Sequence, residues 1–172
     1  MYEDKLMSFA ARTSPTIRVT VVPSYLSATI NGDSNPRYKH VKIPEPLNFR
    51  STSAPSLELV DYPTGTYWRL SAGHTENGMT RSIEVVFYTR PESVSLPISL
   101  DSDRVAVTYY SDPVNGLLHV GVSGTLNLQY DESEKTLTGT FNGLFDHGGE
   151  SGDDVFPISA EFFIDGVELR KK

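Results

Sequence analysis

The 172-residue chain contains no cysteine, which excludes disulfide staples and thiolate-ligated metal centres and leaves the redox compartment open. No stretch approaches the roughly 20 consecutive apolar residues of a membrane-spanning helix. Positive charge is in deficit: 15 Lys and Arg against 22 Asp and Glu give a formal charge of −7. Nucleic acid and anionic membrane both require a basic surface, so neither is an expected partner. No apolar pattern with a 3.6-residue period runs for the length of a helix, and no repeat or low-complexity segment occurs. The opening MYEDKLMSFAARTS lacks the apolar core of an export leader. The expectation is a cytoplasmic chain if that N-terminus is native, and a periplasmic or extracellular one otherwise.

What the chain does contain is period-2 alternation. Ile17, Val19 and Val21 alternate, then Tyr25–Ile30, and a charged run at Arg37–Ile43 suits a sheet edge kept soluble. Residues 44–56, with three prolines, read as a loop. Strand patterns resume at Leu57–Val60, Tyr67–Ala72, Ser82–Tyr88, Arg104–Tyr110 and Val155–Asp165. Asn31–Gly32, Asn77–Gly78, Asn115–Gly116 and Asp165–Gly166 supply turn dipeptides between them. The spacing predicts an all-β fold, an antiparallel β-sandwich or flattened, open barrel of about 8–10 strands. Residues 1–15 read as a lead-in and 16–172 as a single domain, long enough to bury about 70% of the surface its unfolded chain exposes.

The longest alternation lies between Leu117 and Phe145. Leu118, Val120, Val122, Gly124, Leu126, Leu128 and Tyr130 alternate with His119, Gly121, Ser123, Thr125, Asn127 and Gln129. After the turn, Leu137, Gly139, Phe141, Gly143 and Phe145 alternate with threonines and Asn142. A hairpin that puts both apolar sets on one face needs paired positions with an odd sum. The register so predicted sets Leu128 against Leu137, Leu126 against Gly139, Gly124 against Phe141 and Val120 against Phe145, with His119 on the wet face.

The hairpin, SGTLNLQYDESEKTLTGTFNGLFD over residues 123–146, resembles a segment of a family of small all-β bacterial proteins, many of them secreted or lipid-anchored. LSATING (26–32) is similar to the opening of such domains and VFPISAEFFIDG (155–166) to their closing strand. The resemblance implies a sandwich or open barrel. The family has no assigned activity, so it implies no catalytic residues.

Candidate chemistry is sparse. Asp146, Glu150, Asp153 and Asp154 put four carboxylates into the glycine-rich loop 146–154, and hard cations such as Ca²⁺ take oxygens from flexible loops of this kind. The spacing fits no EF-hand, and a solvated acidic loop is the preferred account of it. His40, His74, His119 and His147 fall in separate segments without metal-ligand spacing; His147 beside Asp146 is the one pair of interest. Ser123 in GVSGT lacks the G-x-S-x-G spacing of a hydrolase elbow. Tyr67, Tyr88 and Tyr110 lie on strand faces opposite Trp68, Phe87 and Val107; where such faces are exposed, rings with polar tips form a platform for a protein or carbohydrate, and ordinary half-buried packing is the preferred alternative. The leading expectation is a non-enzymatic binding domain without a cofactor, recognising its ligand by end loops or an aromatic sheet face. An enzyme or cation-binding protein using loop 146–154, and an acidic immunity-type partner of a basic target, stand as alternatives. If the loop holds Ca²⁺, millimolar Ca²⁺ raises the melting temperature and EDTA reverses the rise; a temperature unmoved by either removes the cation reading.

Overall fold

The structure, a computed structural model, describes residues 22–32, 43–114, 116–146 and 155–169. Ten strands follow in order: β1 (Tyr25–Ile30), β2 (Leu47–Arg50), β3 (Ser56–Tyr62), β4 (Gly65–Glu76), β5 (Met79–Phe87), β6 (Val94–Ser99), β7 (Ala106–Asp112), β8 (Leu117–Asp131), β9 (Thr136–Asp146) and β10 (Val155–Ile164). They form one antiparallel sheet ordered β2-β1-β10-β9-β8-β7-β5-β4-β3, with β6 paired to β8 beside this path. The fold is all-β. Its ten described strands make one curled sheet that is not closed into a barrel.

Alternation decides which side of each strand faces inward. Leu26, Ala28 and Ile30 of β1 join Phe156, Ile158, Ala160, Phe162 and Ile164 of β10, all buried. Leu70 and Ala72 of β4 and Ile83, Val85 and Phe87 of β5 continue the same core. Trp68 packs against it and pairs with Phe87. The β4–β5 connection is a two-residue turn, with Asn77 and Gly78 at φ 51° and 77°. Two left-handed residues in succession match the twist of the flanking strands. The strands therefore run up to Glu76 and start again at Met79, where the sequence had suggested a longer loop.

The ends of the sheet approach each other where β2 leads into β3. Thr52 N–H donates to Gly73 O at 2.9 Å, and the Thr52 hydroxyl accepts from Thr75 N–H at 3.1 Å. His74 Nδ1 lies 2.7 Å from Arg50 O, so its N–H serves the carbonyl. The Phe49 ring, 5.4 Å from the imidazole, closes the inner side of this seam. Covalent continuity and these contacts curl the sheet around one core.

The β8–β9 hairpin forms where expected, in a different register. Leu126 faces Phe141, Leu128 faces Gly139 and Gly124 faces Gly143. The expected pairing of Gly124 with Phe141 is therefore two residues out. Registers two residues apart leave every side chain on the same face, so alternation cannot separate them; the turn does. Asp131 Oδ1 accepts from Ser133 N–H at 2.9 Å, Glu134 N–H at 3.0 Å and the Ser133 hydroxyl at 2.7 Å. Lys135 then takes the left-handed conformation at φ 55°. These bonds, the one to Glu134 foremost, hold the Asp131 carboxyl below its ordinary range. A glycine under a large ring does occur, but it is Gly139 beneath Phe162 of β10.

A second departure lies in the first half of β8. The register with β9 shifts between Gly121 and Ser123, leaving Val122 as a bulge. Inserting one residue reverses which parity faces inward. Before the bulge His119 and Gly121 point into the core, and after it Leu126 and Leu128 do. His119 is fully buried, not on the wet face, and Leu118 is 53% exposed. The same place is where β8 changes neighbours, from β7 at residues 117–120 to β6 at 123–128. Two glycines permit it. A side chain at Gly121 would run into the Thr108 hydroxyl, and Gly124 adopts φ 137° with the Asn142 carbonyl where a Cβ would stand.

Two strands lack a counterpart in the sequence reading: β2, inside the proline-rich stretch read as a loop, and β6, whose Val94, Leu96 and Ile98 alternate around Pro97. Pro97 faces water opposite Thr125. The strand expected around Ile17, Val19 and Val21 lies outside the described residues, as does that at Arg37–Ile43 except for Ile43.

Phe141 is fully buried, so Phe141→Ala costs about 3–5 kcal/mol of stability, and Gly124→Ala costs about 1–3 kcal/mol through backbone strain. Denaturant unfolding followed by Trp68 fluorescence checks both; unchanged midpoints contradict this packing.

Candidate functional site

The outward face of β3, β4, β5 and β7 carries the most distinctive chemistry. Tyr62 of β3, Tyr67 of β4, Tyr88 just beyond β5 and Tyr109 of β7 line a hollow of about 450 Å³, with Glu84, Ser82 and Ser111 on its floor and Leu118 at one side. Register explains the convergence. Glu84 pairs directly with Tyr109, Ser82 with Ser111, and Ser111 with Leu118, so each step across the sheet adds one outward side chain. Leu118 faces the hollow because the Val122 bulge turned it out of the core.

The rings are arranged at angles. Tyr67 and Tyr88 meet edge to face at 86°, centroids 4.9 Å apart, and Tyr62 tilts against Tyr67 at 5.9 Å. Tyr67 donates its hydroxyl to Thr64 O at 2.8 Å, which fixes the ring over the β3–β4 turn. Tyr88 has the Arg104 guanidinium 6.0 Å from its centroid. Arg104 is held from the other side, its Nη1 donating to Leu100 O at 3.1 Å and Asp101 O at 3.2 Å. Arg69 stands beside the hollow and is bridged to Glu58 at 2.7 Å; that hydrogen bond strengthens its hold on its proton. Burial pushes the Tyr109 phenol up from its ordinary value, and the neighbouring Tyr88 adds to the effect. Glu84 has no hydrogen-bond or ion-pair partner among the described residues.

Of the three tyrosines expected on an aromatic face, Tyr67 and Tyr88 are there and in contact. Tyr110 is not: it is fully buried in the core, and Tyr109 takes the outward position. In RVAVTYY the set Val105, Val107, Tyr109 looks the more apolar and so the more suited to burial. In the structure Val107 is buried as well, but Tyr109 is only half-buried, while Ala106 and Thr108, being small, sit inside opposite Phe87 and Val85 on the side of Tyr110. Tyr110 stacks on His119, centroids 5.7 Å apart, and meets Phe156 edge to face. Its hydroxyl reaches Asp112 at 3.5 Å. Asp112 also accepts from Val114 N–H at 2.9 Å and lies 3.5 Å from Arg81 Nε. Burial, then the Asp112 charge, raises the Tyr110 phenol far above its ordinary value.

Asp146 ends β9, paired with Val155. Glu150, Asp153 and Asp154 lie outside the described residues, as do His147 and His40. Among the described residues no group of three His, Cys, Asp or Glu side chains is placed to hold a metal. No described helix is long and apolar enough to cross a membrane. Two further troughs, about 740 and 480 Å³, lie over β1, β9 and β10, the first reaching β2 and the second β8; both mix polar and apolar groups and include Glu161, with Tyr25 and Phe163 stacked in the second. A scan against protein-family models, a search of curated proteins and a search of solved structures each matched nothing.

Because the folded values of Tyr109 and Tyr110 lie above those of the unfolded chain, their contribution to stability is complete below about pH 10. It is lost as pH climbs through the folded values. Stability measured in denaturant therefore falls on the alkaline side, and Tyr110→Phe flattens that fall; an equal alkaline loss in Tyr110→Phe contradicts the assignment.

Proposed function

We propose that this protein is a non-enzymatic recognition domain that binds its ligand or partner in the tyrosine hollow on the outward face of β3, β4, β5 and β7. The observation that carries the reading is the convergence of four tyrosines from separate strand segments around one carboxylate, Glu84. Tyrosine offers a large rigid surface with a polar tip at little entropic cost, which is why it concentrates at binding hot spots. A rigid sheet presents such a surface already organised, so little ordering is required on binding. The net charge of −7 favours a basic or neutral partner over an acidic one. Kinship with the small all-β bacterial family that the hairpin resembles is part of this proposal and is consistent with a binding role without catalysis.

The test is a thermal-shift screen of sugars, amines and short peptides against the native chain and the Tyr67→Ala/Tyr88→Ala double variant. A ligand near 100 times its Kd stabilises the native chain by about 2.7 kcal/mol, and the double variant, still folded, loses most of that gain. Hits that stabilise both chains equally place recognition elsewhere.

A further inference from the structure

The hollow also indicates what kind of group it receives, an inference that rests on the recognition role just proposed. Glu84 sits beside Tyr109 in register on an aromatic floor, and no described residue bridges it by a hydrogen bond or an ion pair. The two cations nearby make their hydrogen bonds elsewhere: Arg69 Nη2 to Glu58, and Arg104 Nη1 to the carbonyls of Leu100 and Asp101. A carboxylate so placed is left without a direct hydrogen-bond or ion-pair partner among the described residues, although its charge is felt by Arg69. The ring geometry narrows the shape of the guest. Tyr67 and Tyr88 stand edge to face, so they offer a corner where a single open ring would offer a plane. A flat sugar stacks on a plane; a compact, rounded group fills a corner. The faces of these rings are electron-rich and attract cations, and the position of Arg104 over Tyr88 shows that this ring takes one. An anion meets both Glu84 and the ring faces and is repelled.

We propose that the tyrosine hollow binds a compact organic cation of the alkylated-ammonium type, caged by Tyr62, Tyr67, Tyr88 and Tyr109 with Glu84 as its counter-charge. The group can arrive on a small molecule or on a modified lysine side chain, and the chemistry of capture is the same.

The experiment is an NMR titration of the full chain with choline, with its uncharged carbon isostere 3,3-dimethylbutanol, with a short peptide bearing trimethyl-lysine, and with a methyl glycoside. Choline and the peptide are expected to shift the resonances around Tyr67, Tyr88 and Tyr109, and the isostere to bind about fivefold more weakly or worse. A peptide markedly tighter than choline assigns the source to a protein partner, and the reverse to a small molecule; either supports the cage. Glu84→Gln, which keeps shape and removes charge, reduces the preference for choline over the isostere without changing the isostere's affinity, the remainder being the pull of the ring faces. Arg104→Gln, which removes a competing positive charge, tightens choline. Equal binding of choline and the isostere, or choline affinity unchanged in Glu84→Gln, overturns the cation assignment. If the isostere or the glycoside binds in a Tyr67- and Tyr88-dependent manner and choline does not, the recognition role stands and the cationic ligand falls. If no probe perturbs the hollow and the wider screen yields no tyrosine-dependent hit, both fall.

Discussion

The bulge at Val122 is the constraint on which the rest of the structure depends. The strand that carries it serves three neighbours, β9 along one edge and β7 then β6 along the other. A regular strand keeps one parity inside throughout its length, and here that would bury Leu118 and expose His119. One extra residue reverses the parity where the neighbours change. The first half of β8 thereby contributes His119 and Gly121 to the core beneath β7, and the second half contributes Leu126 and Leu128 beneath β6. The cost is local. Gly121 must lack a side chain because Thr108 fills that space, and Gly124 must take a φ that other residues resist.

The hollow inherits its shape from this inversion. With His119 inside, Tyr110 stacks on it and is committed to the core; its neighbour Tyr109 is turned outward against Glu84. Leu118, expelled from the core, becomes part of the hollow's side. Interior packing and surface chemistry are thus two faces of one register decision. The seam at Thr52, Gly73 and His74 supports it from the far side, because it fixes the curl of β4 and so the position of Tyr67 relative to Tyr88.

Much of the scaffold was legible in the residues. Alternation identified the antiparallel all-β class, the hairpin from Leu117 to Phe145, and the strand segments that became β1, β4, β5 and β10. The Asn77–Gly78 turn announced itself by composition, though its tightness did not. The short strand β2 hid among prolines, having four residues and a single fully buried ring, Phe49. Strand β6 had an alternating Val94, Leu96, Ile98 pattern that Pro97 masked; a proline, lacking an N–H donor, is tolerated there because β6 pairs with β8 alone. Tyr67 and Tyr88 lie together at the hollow, whereas Tyr110 is buried and its neighbour Tyr109 lines the hollow instead.

By itself the sequence determined the class of fold, the turn positions and the period-2 faces of most strands, because these follow from side-chain alternation and local backbone preference. It also determined that acidic charge and tyrosine, without cysteine, would be the raw material of any site. Only the tertiary structure decided the register of β8 against β9, the inward turn of His119 and Tyr110, and the meeting of four tyrosines around Glu84. Registers two residues apart are equivalent in pattern, and a bulge reverses a face without altering composition. Such choices are settled by contacts between segments distant in the chain, where a hydroxyl such as that of Thr108 leaves room for a glycine and nothing larger.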